Sequence, residues 1–344
     1  MLRQVAAPLL GMALTLTACS VNGSRGASSG RPPTSAGGTA AAAAPSAGCR
    51  RTPTATSGRY RFGGRSYLLT LPRSRGRTPV PLVLDLHGLR SNGFQEAVYS
   101  RVASLGAARG FAVVEPNGAT QPRGWRLPGM ADGTADIRYI RDLLDHLEGT
   151  LCVDTRREFA TGFSNGAGMS AALVCGLGGR LAAVAPVAGL NLTRPCGNPR
   201  PTTMLVFHGT ADPIVPYGGG APYKGNVARV PGWMRPAGGG SLVLPSVRDQ
   251  VDRWARSFGC GRTSRRQAAT GVTLVSRTGC RDSARVDFYT VAGGGHSWPG
   301  SPSLGAGPST TRIDATRIML NTFATTSSRR TDTAADHPAP RPGQ

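Results

Sequence analysis

The segment TGFSNGAGMS, from Thr161 to Ser170, places one serine between two glycines directly after a run that is typical of a strand. In such a strand-turn-helix elbow the glycines fit a crowded turn, and Ser164 is lifted into the open at the end of the strand. A serine in this position can attack a carbonyl carbon when a neighbouring base removes its proton. A single GxSxG motif often occurs by chance. The rest of the chain therefore has to supply the base, its acid partner and donors for an oxyanion.

Five histidines could provide the base. His146 lies in a predicted amphipathic helix and His337 in a polar tail, so we expect both to be solvated. His87 and His208 each end a predicted strand before a glycine, where a histidine more often orders a loop than acts as a base. His296 lies in the glycine-rich segment GGGHSWPG after the last predicted strand, where a doubly wound hydrolase sheet delivers its base. We therefore predict that His296 is the base.

An imidazole base needs a carboxylate at its other nitrogen, which fixes the tautomer and stabilises the imidazolium. The segment HGTADPIVPY offers Asp212, which follows a predicted strand in a loop that Pro213 stiffens. Asp85 is the rival, but it lies inside the predicted strand LVLDLHG. The order Ser164, Asp212, His296 along the chain is the order of α/β hydrolases and differs from that of chymotrypsin or subtilisin folds.

An oxyanion in such a site is stabilised by two backbone amides. We predict the amide of Asn165, which follows the serine, and that of Leu89, in the loop after LVLDLHG. His87, Trp125 and Trp298 are predicted to line the substrate pocket. The alternative for Trp298 is a core residue that holds the loop of the base in place.

The elements that must position these residues alternate between strand-like and helix-like segments. This alternation predicts an α/β fold, with a mostly parallel, doubly wound sheet and helices on both faces. The segment RYRFGGRSYLLTLP predicts a hairpin that turns at Gly63 and Gly64. Further strands are predicted at PLVLDLHG, GFAVVEPNG, REFATGFS, LAAVAPVAG, TTMLVFHGT and RVDFYTVAGG. Helices are predicted after Ser164, in ADIRYIRDLLDHLEGTL, from Val247 to Phe258 and in TRIDATRIMLNTFAT.

The first twenty residues, MLRQVAAPLLGMALTLTACS, carry an arginine and then an apolar stretch that is too short to span a bilayer. They predict a lipoprotein signal peptide over 1–18, because LTAC resembles the bacterial lipobox, whose cysteine, here Cys19, is acylated. The alternative is an ordinary signal peptide with a chance cysteine. Residues 19–48 are rich in Gly, Ser, Pro and Ala, which predicts a disordered tether. The hydrolase domain is predicted over 49–325 and a disordered tail over 326–344.

Apart from the cysteine of the lipobox, the chain has six cysteines, an even number that favours disulfides in an exported protein. Six cysteines allow many pairings, and the sequence alone does not choose among them. If two disulfides each close a local loop, the first cysteine and a cysteine in the middle of the chain remain to pair with each other. The preferred pairs are therefore Cys49–Cys152, Cys175–Cys196 and Cys260–Cys280. The lack of a CxxC pair disfavours a metal site.

The chain carries 40 lysine and arginine residues against 18 acidic residues, a formal net charge of +22. A nucleic-acid interface would need basic residues clustered with aromatic ones. The arginines are instead spread along the chain, so we expect no nucleic-acid partner. Attraction to anionic polymers of the cell envelope is the consequence that we expect.

Together these motifs resemble the polyhydroxybutyrate depolymerase and feruloyl esterase group, which is related to carbohydrate esterase family one. The resemblance covers Gly58 to about Phe323 and rests on PLVLDLHG, EPNG, CVDTRREFATGFSNGAGMS, APVAG, HGTADPIVPY and GGGHSWPG. It implies an α/β-hydrolase fold that acts on acyl esters without a metal or organic cofactor. It also implies Ser164 as nucleophile, Asp212 as acid and His296 as base. The lipobox and tether are similar to those of lipid-anchored actinobacterial esterases.

The Gly- and Pro-rich segment from Tyr217 to Pro245 departs from this family pattern. It is too long for an ordinary loop, and we expect it to hang over the site. It is also longer and richer in glycine and arginine than the resemblance leads us to expect. This departure leaves the shape of the pocket, and therefore the substrate, open.

These features predict a secreted, lipid-anchored serine esterase that works through an acyl-enzyme and is held at the membrane by Cys19. Two alternatives stay open. The acyl-enzyme could transfer its acyl group to a sugar or lipid acceptor in a dry pocket, or the chain could be a catalytically silent lipoprotein that binds the envelope. The sequence does not decide between hydroxybutyrate-type, feruloyl, acetyl and other envelope esters as substrates.

Overall fold

The computed structural model describes residues 42–73, 78–236, 240–304 and 306–329. Its strands are β1 (Gly58–Phe62), β2 (Arg65–Thr70), β3 (Val80–Leu86), β4 (Ala112–Pro116), β5 (Val153–Phe163), β6 (Ala183–Val187), β7 (Thr203–Gly209), β8 (Arg262–Ala269), β9 (Val272–Thr278) and β10 (Val286–Val291). Its α-helices are α1 (Gly93–Ser100), α2 (Val102–Ala107), α3 (Ala135–Thr150), α4 (Asn165–Gly176), α5 (Val247–Ser257) and α6 (Ala315–Ala324). Within these residues, no helix is both long enough and apolar enough to cross a membrane.

The strands form one sheet in the order β1-β2-β4-β3-β5-β6-β7-β10-β9-β8. The central strands, from β4 to β10 in this order, run parallel. Antiparallel strands extend both edges. The carboxyl ends of the parallel strands share one edge, so the loops after β3, β5, β7 and β10 emerge together. Val291 at the end of β10 lies opposite Gly209 at the end of β7, which brings the last two of these loops side by side.

Helices cover both faces of the sheet, as the sequence predicts. One apolar core packs under α3, α4 and α5, and the other packs under α2 and α6. Successive side chains of a strand point to opposite faces. Along β3, Leu84 and Leu86 accordingly belong to the first core and Val83 to the second. The predicted α/β-hydrolase architecture is confirmed.

The hairpin of β8 and β9 and the helices α1 and α2 were not predicted from the sequence. Strand β8 reads RTSRRQAA and is exposed over most of its length, so it lacks the apolar alternation that marks a half-buried strand. Its arginines suit an edge strand, because charged side chains oppose pairing with another chain. Helices α1 and α2 are short, and Arg101 between them has a φ of 61°, which interrupts the helical period.

The folded domain begins before the predicted boundary at Cys49. Ser46 Oγ donates to the Leu151 carbonyl oxygen at 2.7 Å and accepts from the Val153 amide at 3.1 Å. Residues 42–48, which the sequence analysis assigned to the tether, are therefore held against the end of α3 and the start of β5. The predicted signal peptide, Cys19 and the rest of the tether lie outside the described residues.

The first residues of the predicted tail also contact the folded domain. Within residues 326–329, the Ser328 amide donates to the Arg156 carbonyl oxygen at 2.7 Å. The remainder of that tail, including His337, lies outside the described residues.

Three disulfides join the pairs that the sequence analysis preferred, which confirms that pairing. They are Cys49–Cys152, Cys175–Cys196 and Cys260–Cys280. The first links residues 103 apart and ties the entry segment to the end of α3. The third links residues 20 apart and closes the edge hairpin of β8 and β9.

We expect a Cys260→Ala, Cys280→Ala double variant to lose about 3 kcal/mol in the free energy of unfolding, because the disulfide restricts the unfolded chain. Urea denaturation of the oxidised proteins measures the loss. The Cys175→Ala, Cys196→Ala variant opens a loop of almost equal size, with a separation of 21 against 20, and should lose a similar amount. A loss below about 1 kcal/mol in both variants would contradict this account.

Candidate active site

Ser164 lies at the turn between β5 and α4 with φ 54° and ψ −117°. A residue with a side chain rarely adopts this conformation, and its neighbours have to hold it there. A Cβ atom on Gly162 or on Gly166 would overlap the Leu86 carbonyl oxygen of β3. The Ser164 amide donates to the Val187 carbonyl oxygen of β6 at 2.9 Å. The elbow predicted from the sequence is therefore wedged between two neighbouring strands.

His296 and Asp212 meet at the same edge of the sheet. The His296 Nδ1–H donates to Asp212 Oδ2 at 2.8 Å, and both side chains are buried. Since Nδ1 donates to the carboxylate, Nε2 is the nitrogen that can accept a proton. The His296 ring packs on Phe163, with 4.7 Å between ring centroids, and Phe163 is the residue before Ser164. The structure thus brings the three residues predicted from the sequence to one site.

Asp212 is surrounded by donors. Its Oδ1 accepts from the amides of Ile214 at 2.8 Å and Val215 at 2.9 Å. Its Oδ2 lies 2.8 Å from His296 Nδ1 and 3.3 Å from His208 Nε2. Burial alone would raise the pKa of Asp212, but the His296 imidazole and the hydrogen bonds from both histidines hold this pKa well below its ordinary value. The carboxylate is therefore ionised and fixes the orientation of His296.

His208 orders this loop, as the sequence analysis expected of a histidine before a glycine. Its Nε2–H donates to the Val215 carbonyl oxygen at 2.9 Å. The same nitrogen faces Asp212, so one histidine ties the start of the loop to its far end. His208 therefore helps to hold the Asp212 carboxylate that orients His296.

Asp85, the rival acid, does not contact the base. Its side chain has no exposed surface, and Oδ2 accepts from Ser100 Oγ at 2.6 Å. Burial raises the pKa of Asp85 to about 7, and burial together with the Asp85 charge raises the pKa values of Glu96 and Glu115 well above their ordinary range. In the part of the chain that the structure describes, no group of three or more His, Cys, Asp or Glu side chains is placed to hold a metal ion.

The amides of Leu89 and Asn165 lie in the loop after β3 and at the start of α4. Neither amide donates to an acceptor among the described residues. The Asn165 side chain is occupied instead, since Oδ1 accepts from the Trp125 amide at 2.6 Å and Nδ2 donates to the Trp125 carbonyl oxygen at 3.0 Å. The Arg90 amide donates to the Arg123 carbonyl oxygen at 2.7 Å. These bonds hold the loops after β3 and β4 and the elbow together.

The prediction that His87, Trp125 and Trp298 line the pocket is wrong, because each has a relative exposure of 0%. Trp298 packs in the second core, and its Nε1–H donates to Thr316 Oγ1 at 2.9 Å. It is the core residue of the alternative reading. The Trp125 Nε1–H donates to the His87 carbonyl oxygen at 2.9 Å, and the two rings pack with centroids 5.1 Å apart. Nearness along the chain did not show which way these side chains point.

Trp233, which was not predicted from the sequence as a site residue, lies in the long segment from Tyr217 to Pro245. Its ring atom Cη2, Asn165 Oδ1 and Leu89 Cδ1 all lie within 3.1 Å of the point where a Cβ atom on Gly124 would stand. The ring edge therefore borders both predicted oxyanion residues. The sequence signal that could have indicated Trp233 is the presence of a tryptophan in a segment that was expected to hang over the site.

Residues 65–197 match the family described as Esterase PHB depolymerase. Over 258 residues the chain is 30% identical to the putative esterase NocK of Nocardia uniformis subsp. tsuyamanensis, and the match covers 70% of each chain. The chain belongs to the polyhydroxybutyrate depolymerase and feruloyl esterase group. This membership confirms the resemblance drawn from the motifs.

Another member of the group, feruloyl esterase C of Emericella nidulans, is 33% identical to this chain over 181 residues, which are 51% of this chain and 65% of that protein. The chain thus spans less than two thirds of the length of that relative. The residues matched by the family contain the elbow but end before Asp212 and His296. The prediction of Asp212 as acid and His296 as base therefore rests on the hydrogen bond between them.

Among solved structures, acetyl xylan esterase from Aspergillus awamori superposes with a TM-score of 0.54 at 16% sequence identity. The superposition covers 79% of this chain and 100% of that chain. At this identity the likeness shows the fold alone, which is the α/β-hydrolase fold.

His87 makes the stability of the folded protein sensitive to pH. Its Nδ1–H donates to the Gly88 carbonyl oxygen at 2.7 Å, and its Nε2 accepts from the Gly118 amide at 3.0 Å. Burial lowers the pKa of His87 to about 4. In the unfolded chain the pKa is about 6.5, so between these values the unfolded state binds more protons. Stability is therefore lost as the pH falls from about 6.5 to 4.

We expect a His87→Asn variant, which can keep the donor to Gly88 but does not titrate in this range, to lack that loss. Between pH 7 and 4 the free energy of unfolding of the wild type should fall by on the order of 3 kcal/mol more than that of the variant. Denaturant unfolding at several pH values measures the difference. Parallel curves for the two proteins would show that His87 does not titrate as described.

Proposed function

We propose that this chain is an exported, lipid-anchored serine esterase that hydrolyses carboxylic esters through an acyl-enzyme. The observation that carries the proposal is the hydrogen bond from His296 Nδ1 to the ionised Asp212, next to the elbow that presents Ser164. This bond leaves Nε2 of His296 to act as the base. Membership of an esterase family supports an ester as the substrate.

In the proposed reaction, Ser164 Oγ attacks the carbonyl carbon of the ester while His296 Nε2 takes its proton. The negative oxygen of the tetrahedral intermediate accepts from the amides of Leu89 and Asn165. The bond to the alcohol oxygen then breaks, the alcohol leaves with the proton from His296, and Ser164 is acylated. Water attacks the acyl carbon with His296 again as base, which releases the acid and restores the serine. Asp212 stabilises the imidazolium in both steps.

The substrates in the names of the relatives guide the choice of ester. The relative from Emericella nidulans is named as a feruloyl esterase, and the structural neighbour is named as an acetyl xylan esterase. The matched family is described by depolymerases of polyhydroxybutyrate, whose bonds are hydroxybutyrate-type esters. We propose that the substrate belongs to these carboxylic ester classes.

We expect Ser164→Ala and His296→Ala each to lower turnover by about a millionfold, because the members of such a triad act as a unit. Asp212→Asn should lower turnover by about ten-thousandfold, because the amide favours the wrong tautomer of His296. Initial rates with p-nitrophenyl butyrate measure these losses. Ser170→Ala, in the same helix with its hydroxyl bonded to the Ala167 carbonyl oxygen, is the control and should retain activity.

Retention of activity within about tenfold of wild type in any of the three variants would remove that residue from the triad. Labelling by a fluorophosphonate probe separates an enzyme from a silent lipoprotein. The wild type should be labelled at Ser164, and Ser164→Ala should not be labelled.

Export and anchoring form a separate part of the proposal. Three disulfides support an oxidising compartment. The anchor rests on the lipobox sequence, since Cys19 lies outside the described residues. A formal net charge of +22 would add attraction to anionic envelope polymers.

We expect Cys19→Ser to release the protein from the membrane fraction, because each buried methylene of an acyl chain contributes about 0.8 kcal/mol to anchoring. Fractionation with a high-salt wash and immunoblotting measures the release, and Ser20→Ala serves as the neighbouring control. A Cys19→Ser protein that still sediments with washed membranes would refute lipid anchoring at this residue.

A further inference from the structure

We propose that Arg90, Arg229 and the hydroxyl group of Tyr223 form an anion-binding subsite beside the loop that carries Leu89, so that this chain prefers esters that also carry a negatively charged group, a carboxylate or a phosphate. The inference rests on the proposed esterase function and names a substrate class for that same site. It assigns a role to the segment from Tyr217 to Pro245, which departs from the family pattern.

The chain segments that meet beside the predicted oxyanion residues carry basic side chains and no acidic ones. They are residues 87–92 after β3, residues 117–124 after β4 and the segment from Tyr217 to Pro245, and their charged residues are Arg90, Arg123, Lys224, Arg229 and Arg235. The Arg90 amide donates to the Arg123 carbonyl oxygen at 2.7 Å, which joins the first two segments. Trp233 of the third segment and Leu89 of the first both approach Gly124. Grouped charges of one sign attract a ligand of the opposite sign.

Tyr223 connects the loop of Asp212 with this basic surface. Its amide donates to the Ile214 carbonyl oxygen at 3.0 Å, and the Ile214 amide donates to Asp212 Oδ1. Burial raises the pKa of Tyr223, while the positive charges of Arg90 and Arg229 oppose that rise. Both guanidinium groups therefore lie close enough to the phenol to act on its hydroxyl group.

The backbone fixes the positions from which these three side chains extend. The Asn226 amide donates to the Tyr223 carbonyl oxygen and the Arg229 amide donates to the Asn226 carbonyl oxygen, both at 3.1 Å, so two tight turns connect Tyr223 to Arg229. Tyr223 and Arg90 have φ values of 54° and 66°, which residues with a side chain rarely adopt. Such conformations persist where surrounding contacts hold them, and they are concentrated at functional sites.

The three side chains have capacity for a ligand. Arg90 and Arg229 are exposed, and neither guanidinium forms a hydrogen bond or an ion pair with another described residue. The half-buried Tyr223 also has no partner for its hydroxyl group among those residues. The Arg180 guanidinium, in contrast, contacts three carboxylates. Guanidinium groups bind carboxylate and phosphate oxygens through paired N–H donors.

The position of Arg90 brings such an anion near the reacting ester. Arg90 follows Leu89 directly, and in the proposed reaction the carbonyl oxygen binds between the amides of Leu89 and Asn165. An anionic group that a short chain joins to the ester can therefore contact Arg90 while the ester is bound. The anion can belong to the acid or to the alcohol part of the ester, and two pairs of substrates distinguish these cases.

The test compares kcat/KM within two pairs of esters of matched length. Methyl hydrogen glutarate and methyl pentanoate differ by a carboxylate on the acid part, and 4-acetoxybutanoate and butyl acetate differ by a carboxylate on the alcohol part. We expect the wild type to prefer the anionic ester about tenfold or more in at least one pair. Arg90→Gln and Arg229→Gln should each lower that preference about fivefold, and Arg90→Lys, which keeps the charge, less than about twofold.

Arg265→Gln is the matched control. Arg265 is also exposed and forms no ion pair with a described residue, but it lies on the edge strand β8. The substitution removes the same charge and should leave the preference unchanged. A loss in this control as large as that in Arg90→Gln would overturn the inference, because the net charge of +22 would then explain the preference.

A wild type without preference in either pair, or an unchanged preference in Arg90→Gln or in Arg229→Gln, would overturn the inference as well. Should the wild type hydrolyse none of the four esters, the proposed function fails, and calorimetry of the two anionic esters with Ser164→Ala tests the subsite by itself. Adding Arg90→Gln to that protein should weaken binding about fivefold. Absent binding, or binding that Arg90→Gln does not weaken, would refute the subsite.

Discussion

The contact between the elbow and strand β3 is the constraint on which the rest of the site depends. Gly162 and Gly166 lie so close to the Leu86 carbonyl oxygen that neither can carry a side chain. This approach forces Ser164 into a conformation with positive φ. It also brings the start of α4, which contains Asn165, beside the loop after β3, which contains Leu89. One backbone contact thus positions Ser164 and both residues whose amides are the proposed oxyanion donors.

The second requirement is a buried charge that the fold can tolerate. Asp212 is removed from water, and an isolated carboxylate there would be protonated rather than ionised. Two backbone amides and two imidazoles compensate for the lost hydration. The amides of Ile214 and Val215 and the His208 imidazole fix the carboxylate to which His296 donates, so the same contacts hold the loop and orient the His296 ring. Asp85 has no such set of donors, and its raised pKa reflects that difference.

The tryptophans show how surroundings assign roles to one residue type. Trp125 and Trp298 are buried, and each donates its indole N–H to a fixed acceptor. They hold the loops that carry the site. Trp233 comes from a segment without helical or strand periodicity, yet its ring reaches the edge of the oxyanion loops.

The sequence by itself determined the elements whose signals are local. The elbow around Ser164, the choice of Asp212 and His296 as its proposed partners, and most strands and helices follow from turn residues and apolar periodicity, which depend on near neighbours. The preferred disulfides also agree with the structure. The tertiary structure decided the directions of side chains, the edge hairpin of β8 and β9, and the packing of residues 42–48. Trp298 lies in the core, and the Trp233 ring lies near Asn165 and Leu89. Contacts between distant segments determine the direction of each side chain, and no local sequence pattern records those contacts.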